Sequence, residues 1–384
     1  MSSPQIPSAD RQLKTRECGS DTPPEVSVIT AAFNAAPFLE QTLTSALAQT
    51  FTDFELLLVD DGSTDDTPHI AEAFAQMDSR IKVIRQRNSG VAAARNLALA
   101  RGRGALFAIL DSDDVWLPTY LSEQVAILKH DPDISVLAGN AINLGGPLDG
   151  QPLLTCPGEP TLKHLSLKEL ICAEDSMSIM AVFRRVVAET LGGFDITLRR
   201  NEDYDFWLRA ADAGFRVVVN TKPLGLYRRR PDSLSADELR MLQGVSGVLR
   251  NFRPHCADRP ELESAIDRQL AALAERGIRA NARAALLQHD RAGLALHIGD
   301  LAAATGAVRY RVAKWLSDHA PTIIWWAYRC KQTVGGFSRK RARRDHQAST
   351  SPYVAHPAAD PPRMTTVLRD NSARITSSDA VNTR

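Results

Sequence analysis

The chain has no stretch of about 18 apolar residues, so the sequence offers no membrane-spanning helix; the best candidate, residues 321–328, is far too short. Its five cysteines (Cys18, Cys156, Cys172, Cys256 and Cys330) lie far apart and form no CxxC pair, which removes zinc-ribbon and dithiol-redox readings. An odd number without a disulfide framework fits a reducing compartment. The formal net charge is only +1, so a nucleic-acid partner is not expected. No GxxxxGK[ST] segment occurs, and the GxG in Arg101-Gly102-Arg103-Gly104 precedes a strand pattern instead of following one, so P-loop and dinucleotide-binding readings fail. Residues 31–36, after the first strand pattern, contain no glycine, unlike the phosphate loop a sugar nucleotidyltransferase would need. The opening MSSPQIPSAD has no basic start followed by an apolar run, so no secretory signal is expected.

What is present suits a packed enzyme. Of the 384 residues, 44% are hydrophobic, enough for a substantial core. Residues 1–24 and 335–384 are rich in polar and charged residues without periodicity, and read as a disordered lead-in and a disordered basic tail. Between residues 26 and 139, short apolar runs at 26–32, 54–59, 81–84 and 105–110 alternate with helical patterns at 37–49, 65–77 and 90–100. Repeated β-α units predict an α/β fold with a mainly parallel central sheet, covered on both faces. In such a sheet ligands bind at the carboxyl ends of the strands. From residue 236 the pattern is helical, with Leu239, Leu242, Val245 and Leu249 on one stripe and breaks near Asp290 and Gly306. We expect an α-helical C-terminal subdomain over 236–334, following a first domain over 25–235.

Three acidic clusters carry chemistry. The first ends the second strand: Asp60-Asp61-Gly62-Ser63-Thr64-Asp65-Asp66. Capping by Ser63 or Thr64, with acids at a helix N-terminus, accounts for Asp65 and Asp66. It does not account for two acids ending a buried strand, where an unpaired carboxylate costs free energy. A carboxylate at Asp61 can accept a pyrimidine imide N–H or sugar hydroxyls. The second cluster, Asp111-Ser112-Asp113-Asp114, follows the fourth strand. Three carboxylates in four residues repel one another unless a cation neutralises them, and Mg²⁺ or Mn²⁺ suits oxygen ligands shared with phosphates. A solvated acidic turn before a helix near Pro118 is the alternative. The third is Asn201-Glu202-Asp203 at the start of an amphipathic helix bearing Tyr204, Trp207 and Leu208, with Asn201 as its expected N-cap. Compensation of the helix dipole explains these acids equally well. Arg95, in a helix poor in bulky residues, and Arg228, Arg229 and Arg230 could meet a diphosphate or face solvent.

The ordered set Val26-Ser27-Val28-Ile29 with Phe33-Asn34, then VDDGSTDDT, NSGVAAARN, LDSDDVW and LGGFD with NEDYDFWLR resembles glycosyltransferase family 2 over roughly residues 25–235. Any one motif is weak, but the set in this order is specific. The resemblance implies a GT-A type nucleotide-binding fold and inverting, hexosyltransferase-type transfer from a nucleotide-diphosphate sugar, most simply a UDP-sugar, to an acceptor hydroxyl in cell-surface polysaccharide or glycolipid assembly. It implies donor contacts from Ala31, Phe33 (stacked on the base, where the family more often has Tyr), Asn34, Asp60, Asp61, Arg95, Asp111, Arg228 and Arg229. It further implies Mg²⁺ or Mn²⁺ held by Asp113 with Asp111 or Asp114, and Asp203 as catalytic base beside Glu202. The QxxRW motif of processive synthases is absent, which argues for single addition. Loss of one of these acids would have pointed instead to a catalytically degenerate scaffold that binds glycans or partners; all are present.

The segment 321–344 combines Trp325, Trp326 and Tyr328 with a cationic run at 339–344. It suits the surface of an anionic membrane or, equally, a packed helix end with a solvated basic tail. A lipid-linked or glycan acceptor, and a cytoplasmic location at the inner face of the plasma membrane, are the matching expectations.

Overall fold

The computed structural model describes residues 22–154 and 161–319. The expectations for residues 1–21, for the segment 321–344, for the tail 335–384 and for Cys18, Cys156 and Cys330 lie outside the described residues.

Four strands, β1 (Val26–Ala32), β2 (Phe54–Asp60), β3 (Ile81–Arg85) and β4 (Leu106–Ile109), run parallel in the order β3-β2-β1-β4. Helices α1 (Ala36–Leu47), α2 (Thr67–Met77) and α3 (Val91–Arg101) connect them. Period-two alternation divides β2 between two cores. Leu57 and Val59 face the side covered by α3, whereas Leu56 and Leu58 face the side covered by α1. The small residues Ala92, Ala94 and Ala98 bring α3 close to the sheet.

The second half of the sheet is built from β5 (Val115–Trp116), β6 (Ile134–Leu144), β7 (Leu162–Leu165), β8 (Ala181–Arg184) and β9 (Arg216–Arg228). Around them lie α4 (Tyr120–His130), α5 (Leu167–Cys172), α6 (Arg185–Leu191) and α7 (Glu202–Asp212). The sheet continues β4-β8-β6-β9-β5, with β7 pairing β9. Only β6 and β9 are parallel here; β8 is antiparallel to both its neighbours, and β5 and β7 are antiparallel to β9. The parallel expectation therefore describes the first four strands, and the sheet as a whole is mixed. Apolar periodicity locates a strand but does not encode the direction of its pairing.

The C-terminal helices are α8 (Glu238–Phe252), α9 (Pro260–Leu287), α10 (Arg291–Thr305) and α11 (Val308–His319). The expected breaks are present: Asp290 caps α10 by accepting from the Gly293 amide at 2.9 Å, and Gly306, at φ +62°, ends it. A further break between α8 and α9, at Pro254 and Pro260, was not anticipated. The division at residue 236 does not coincide with a core boundary. Leu242, Val245, Leu249 and Phe252 of α8, with Leu262, Ile266 and Leu273 of α9, join the same core as the sheet face under α3 and α7. The end of α9 and α10 form a separate small cluster through Ala285, Leu294 and Ile298, with Ala313 of α11 packed against it.

Candidate active site

A cavity of about 1370 Å³ opens at the carboxyl ends of β1, β2 and β4. Of the residues singled out above, Ala31, Phe33, Asn34, Asp61, Arg95, Asp111, Asp113, Glu202, Asp203, Arg228 and Arg229 line it. Asp60 and Asp114 do not.

Asp60 ends β2 with the parity of Leu56 and Leu58 and is fully buried; its carboxylate accepts from the Ser63 amide and from Arg85 Nε, each at 3.0 Å. Asp61, one residue on, faces the other way. Its Oδ1 accepts from Gln86 Nε2 at 2.7 Å and the Ser89 amide at 2.8 Å, and its Oδ2 from the Gly90 amide at 2.8 Å. Asp61 thus shapes loop 86–90 as well as lining the cavity. Gly62 is required at this corner: at φ +79°, a Cβ there would stand 2.8 Å from the Asn88 nitrogen. Asn34 ties the β1 loop to the β2 loop by donating its amide to Ser63 Oγ and accepting from the Thr64 amide, each at 2.9 Å. Phe33 presents its ring at the rim, half exposed. Neither Ser63 nor Thr64 caps α2, whose N-cap residue Asp66 makes no side-chain capping bond; Asp65 links the starts of two helices, accepting from the Thr67 amide of α2 at 3.0 Å and the Ala36 amide of α1 at 3.1 Å.

Arg95 holds the centre. It is 4% exposed, and its guanidinium donates to Asp111 Oδ1 at 2.6 Å and to Glu202 Oε1 at 2.5 Å. Burial would lower its pKa, but Asp111 and Glu202 hold it above the ordinary arginine value. Engaged on both sides, it braces the two acidic motifs while also lining the cavity.

Asp113 turns its carboxylate toward the cavity, with Arg230 Nε 3.1 Å from Oδ2. Burial raises the Asp113 pKa and the neighbouring Asp111 raises it further, with Arg230 opposing. Asp114 is buried and points away: its Oδ1 accepts from the Arg228 amide at 2.8 Å, which ties the acidic loop to the end of β9. Burial, then Asp111 and Asp113, push its pKa well up. Arg228 donates to the Asp113 carbonyl at 2.8 Å and to Gln41 Oε1 at 2.5 Å, and Arg229 donates to Asn143 Oδ1 at 2.8 Å. The arginine that meets Asp113 is Arg230, which sequence reasoning grouped with its neighbours without distinguishing it.

Asp203 is partly buried in the first turn of α7. Burial pushes its pKa up to about 6, Glu202 adds to the rise, and Arg95 opposes it. Glu202 pairs with Arg95, and Asp203 is the acid of this pair without a guanidinium partner among the described residues. Asn201 is not a side-chain cap; it adopts φ +59° and makes no capping hydrogen bond. Its side chain is instead turned onto α8, so that a Cβ on Gly244 would lie 2.1 Å from Asn201 Oδ1. Met241, Leu242 and Val245 of α8 complete the wall on this side. The sequence showed Leu242 and Val245 only as a core stripe, since one apolar face serves packing and lining alike.

Among the described residues no group of three His, Cys, Asp or Glu side chains is arranged to hold an ion alone. The all-oxygen pair Asp111 and Asp113 nevertheless fits a hard cation that completes its shell with phosphate and water oxygens, and such a cation would relieve their mutual repulsion.

Comparison with known proteins agrees with this geometry. A family model described as glycosyl transferase family 2 matches residues 27–192. The putative teichuronic acid biosynthesis glycosyltransferase TuaG of Bacillus subtilis is 30% identical over 234 residues, which cover 60% of this chain and 88% of that protein. The Escherichia coli protein WfaP, a UDP-Glc:alpha-D-GlcNAc-diphosphoundecaprenol beta-1,3-glucosyltransferase, is 30% identical over 231 residues, 59% of this chain and 86% of that one. Among solved structures, S. aureus TarS in complex with UDP-GlcNAc superposes with a TM-score of 0.53 at 21% identity, covering 73% of this chain and 81% of that one. The mannosyltransferase PcManGT from Pyrobaculum calidifontis, in complex with GDP-Man and Mn²⁺, gives 0.51 at 23% identity, covering 78% and 85%. These two share the fold. The chain belongs to glycosyltransferase family 2 and has its GT-A fold. It is a glycosyltransferase, and the relatives it resembles include enzymes named for polysaccharide biosynthesis and for transfer to a diphosphoundecaprenol-linked sugar. Among the described residues no helix is long and apolar enough to cross a membrane.

Proposed function

We propose that the protein transfers a sugar, with inversion, from a UDP-sugar or related nucleotide-diphosphate sugar to an acceptor hydroxyl, with a divalent cation at Asp113 and Asp111 and Asp203 as base. The observation that carries this reading is the convergence of the two acidic motifs on one cavity, bridged by Arg95. Phe33 offers a ring for the donor base, and Asp61 with the loop it shapes forms the floor beside it. Asp113 and Asp111 would hold Mg²⁺ or Mn²⁺, whose Lewis acidity assists departure of the diphosphate. Arg230, beside Asp113, adds positive charge where the leaving group gains negative charge. Asp203 accepts the proton of the attacking hydroxyl, a step commonly worth about 10²- to 10⁴-fold. Attack opposite the leaving group inverts the anomeric carbon. The lipid-linked substrate in the name of WfaP supports work at a membrane surface.

A thermal-shift screen of nucleoside diphosphates and their sugars, with and without Mn²⁺, tests the reading. Ligands that bind the folded state raise its melting temperature by mass action. A metal-dependent rise with one base is expected; no rise with any of them, in a folded sample, overturns the donor site.

A further inference from the structure

Phe38, in the first turn of α1, lies between the strand end that carries the arginines and the acidic loop they serve. The Arg228 guanidinium stands 5.0 Å from its ring centroid and the Arg230 guanidinium 4.7 Å, so one aromatic ring receives two cations. They are held differently. Arg228 is fixed by its bonds to the Asp113 carbonyl, to Gln41 and, through its amide, to Asp114. Arg230 meets the Asp113 carboxylate at 3.1 Å, yet its buried Nε–H finds no hydrogen-bond acceptor among the described residues. Its pairing with Asp113 is charge on charge, without a directional bond. Its other acid, Asp232 at 3.6 Å, is 78% exposed and a weak partner. Attraction to a ring face tolerates changes of direction, so the guanidinium can turn on Phe38 and keep that contact. There is room for it to turn: a second hollow of about 420 Å³ borders Phe38 and Arg230, and Arg230 lines the main cavity as well.

Arg230 thus sits on the carboxylate proposed for the divalent cation. A guanidinium and a doubly charged ion on one carboxylate repel each other, so the ion must displace Arg230. We infer that Phe38 is a positioning residue and Arg230 a resident counter-ion. Without the ion, Phe38 seats Arg230 on Asp113; when the ion enters, the guanidinium turns about the ring and pairs with the diphosphate. The ion and the diphosphate then promote each other's binding, because the ion frees the arginine that the diphosphate takes up. The inference rests on the metal and donor reading of the same cavity and adds how the two ligands are coupled.

Two titrations of the full chain test it: Mn²⁺ alone, followed by electron paramagnetic resonance of the free ion, and, at saturating Mn²⁺, the nucleoside diphosphate selected by the thermal-shift screen. Arg230→Gln should bind Mn²⁺ roughly 10-fold more tightly than wild type, having lost the competitor. It should bind the diphosphate roughly 10- to 100-fold less tightly, the worth of one charge-assisted hydrogen bond. Phe38→Leu should shift both affinities in the same directions by roughly 2- to 5-fold, the worth of a partly exposed cation–π contact. Phe38→Tyr, which keeps the ring face, should match wild type. Phe38→Leu removes no charge, so tighter Mn²⁺ binding there separates loss of the seat from relief of repulsion. A Phe38 that served packing alone would weaken both ligands together, and that result overturns the inference. So does Mn²⁺ affinity in Arg230→Gln equal to or below that of wild type. Asp113→Asn separates the levels: if it binds Mn²⁺ as wild type does, the ion lies elsewhere and the metal reading falls too; if it loses Mn²⁺ while Arg230→Gln gains nothing, only the inference is wrong.

Discussion

Replacing Asp203 by Asn tests the base and the electrostatics of its pocket at once. The carboxyl rises from an ordinary 3.8 to about 6, first through burial and then through Glu202, against the pull of Arg95. An acid whose folded pKa exceeds its unfolded value holds its proton more tightly when folded. Its contribution to stability is therefore fully present below pH 3.8 and is lost as pH rises from 3.8 to about 6. Above that window the ionised group costs about 3 kcal/mol, at 1.36 kcal/mol per unit. Asn keeps the shape and removes the charge. Asp203→Asn should thus be more stable than wild type by about 2–3 kcal/mol at pH 8 and within about 0.5 kcal/mol of it at pH 4. Urea unfolding followed by tryptophan fluorescence at the two pH values measures this. Turnover should fall about 10²- to 10⁴-fold while donor binding persists, and wild-type kcat/KM should decline below pH 6 as Asp203 takes up a proton. A variant no more stable at pH 8, or stabilised equally at both pH values, refutes the burial argument. A variant with near-full turnover refutes the base.

Arg95→Met strands Asp111 and Glu202 without their shared cation and should cost about 3–5 kcal/mol in urea unfolding, together with loss of turnover; a cost under about 1 kcal/mol would mean the two acids find other partners. Asp113→Asn should raise the Mn²⁺ concentration needed for half-maximal rate, whereas Asp114→Asn, which can still accept from the Arg228 amide, should leave it unchanged; the reverse order would exchange their roles. Gly244→Ala should lower kcat without raising donor KM, because its Cβ displaces Asn201 just before the base. Asn201→Gly in the same chain should restore the rate, since glycine adopts φ +59° without strain; equal activity of wild type and Gly244→Ala would show that α8 does not position the base.

The first four strands were legible as short, mainly apolar segments between helical patterns, and β1 and β2 are buried along nearly their whole length despite Ser27, Thr30 and Glu55. Strands β5, β7 and β8 were not, since they are short and the direction of their pairing leaves no mark in composition. The acidic motifs were visible as motifs, but the choice between adjacent acids was not. Asp60 is the last residue of β2 and Asp61 the next, and their opposite facing decides that one pairs with Arg85 and the other lines the cavity. Asp113 and Asp114 lie in a turn, where no periodicity predicts which points outward. Asn201 looked like a cap from residue type alone, whereas its contact with Gly244 joins residues 43 positions apart, beyond any local pattern.

On the proposed function, Arg95 explains how two runs of like acids come to hold distinct roles. Each run brings at least two carboxylates to one low-dielectric cavity, where unrelieved repulsion would protonate or expel some of them. One buried guanidinium takes a single member of each run, Asp111 from the first and Glu202 from the second. The members left over are Asp113, open to a cation and to Arg230, and Asp203, whose raised pKa suits proton transfer near neutral pH. The same side chain fixes the distance between the donor motif and the base motif, because it is bonded to both. An arginine that merely touched the nucleotide would, when replaced, raise donor KM and spare the rest. An arginine that divides the charges should take metal response, base and fold stability down together, and that joint loss distinguishes the two.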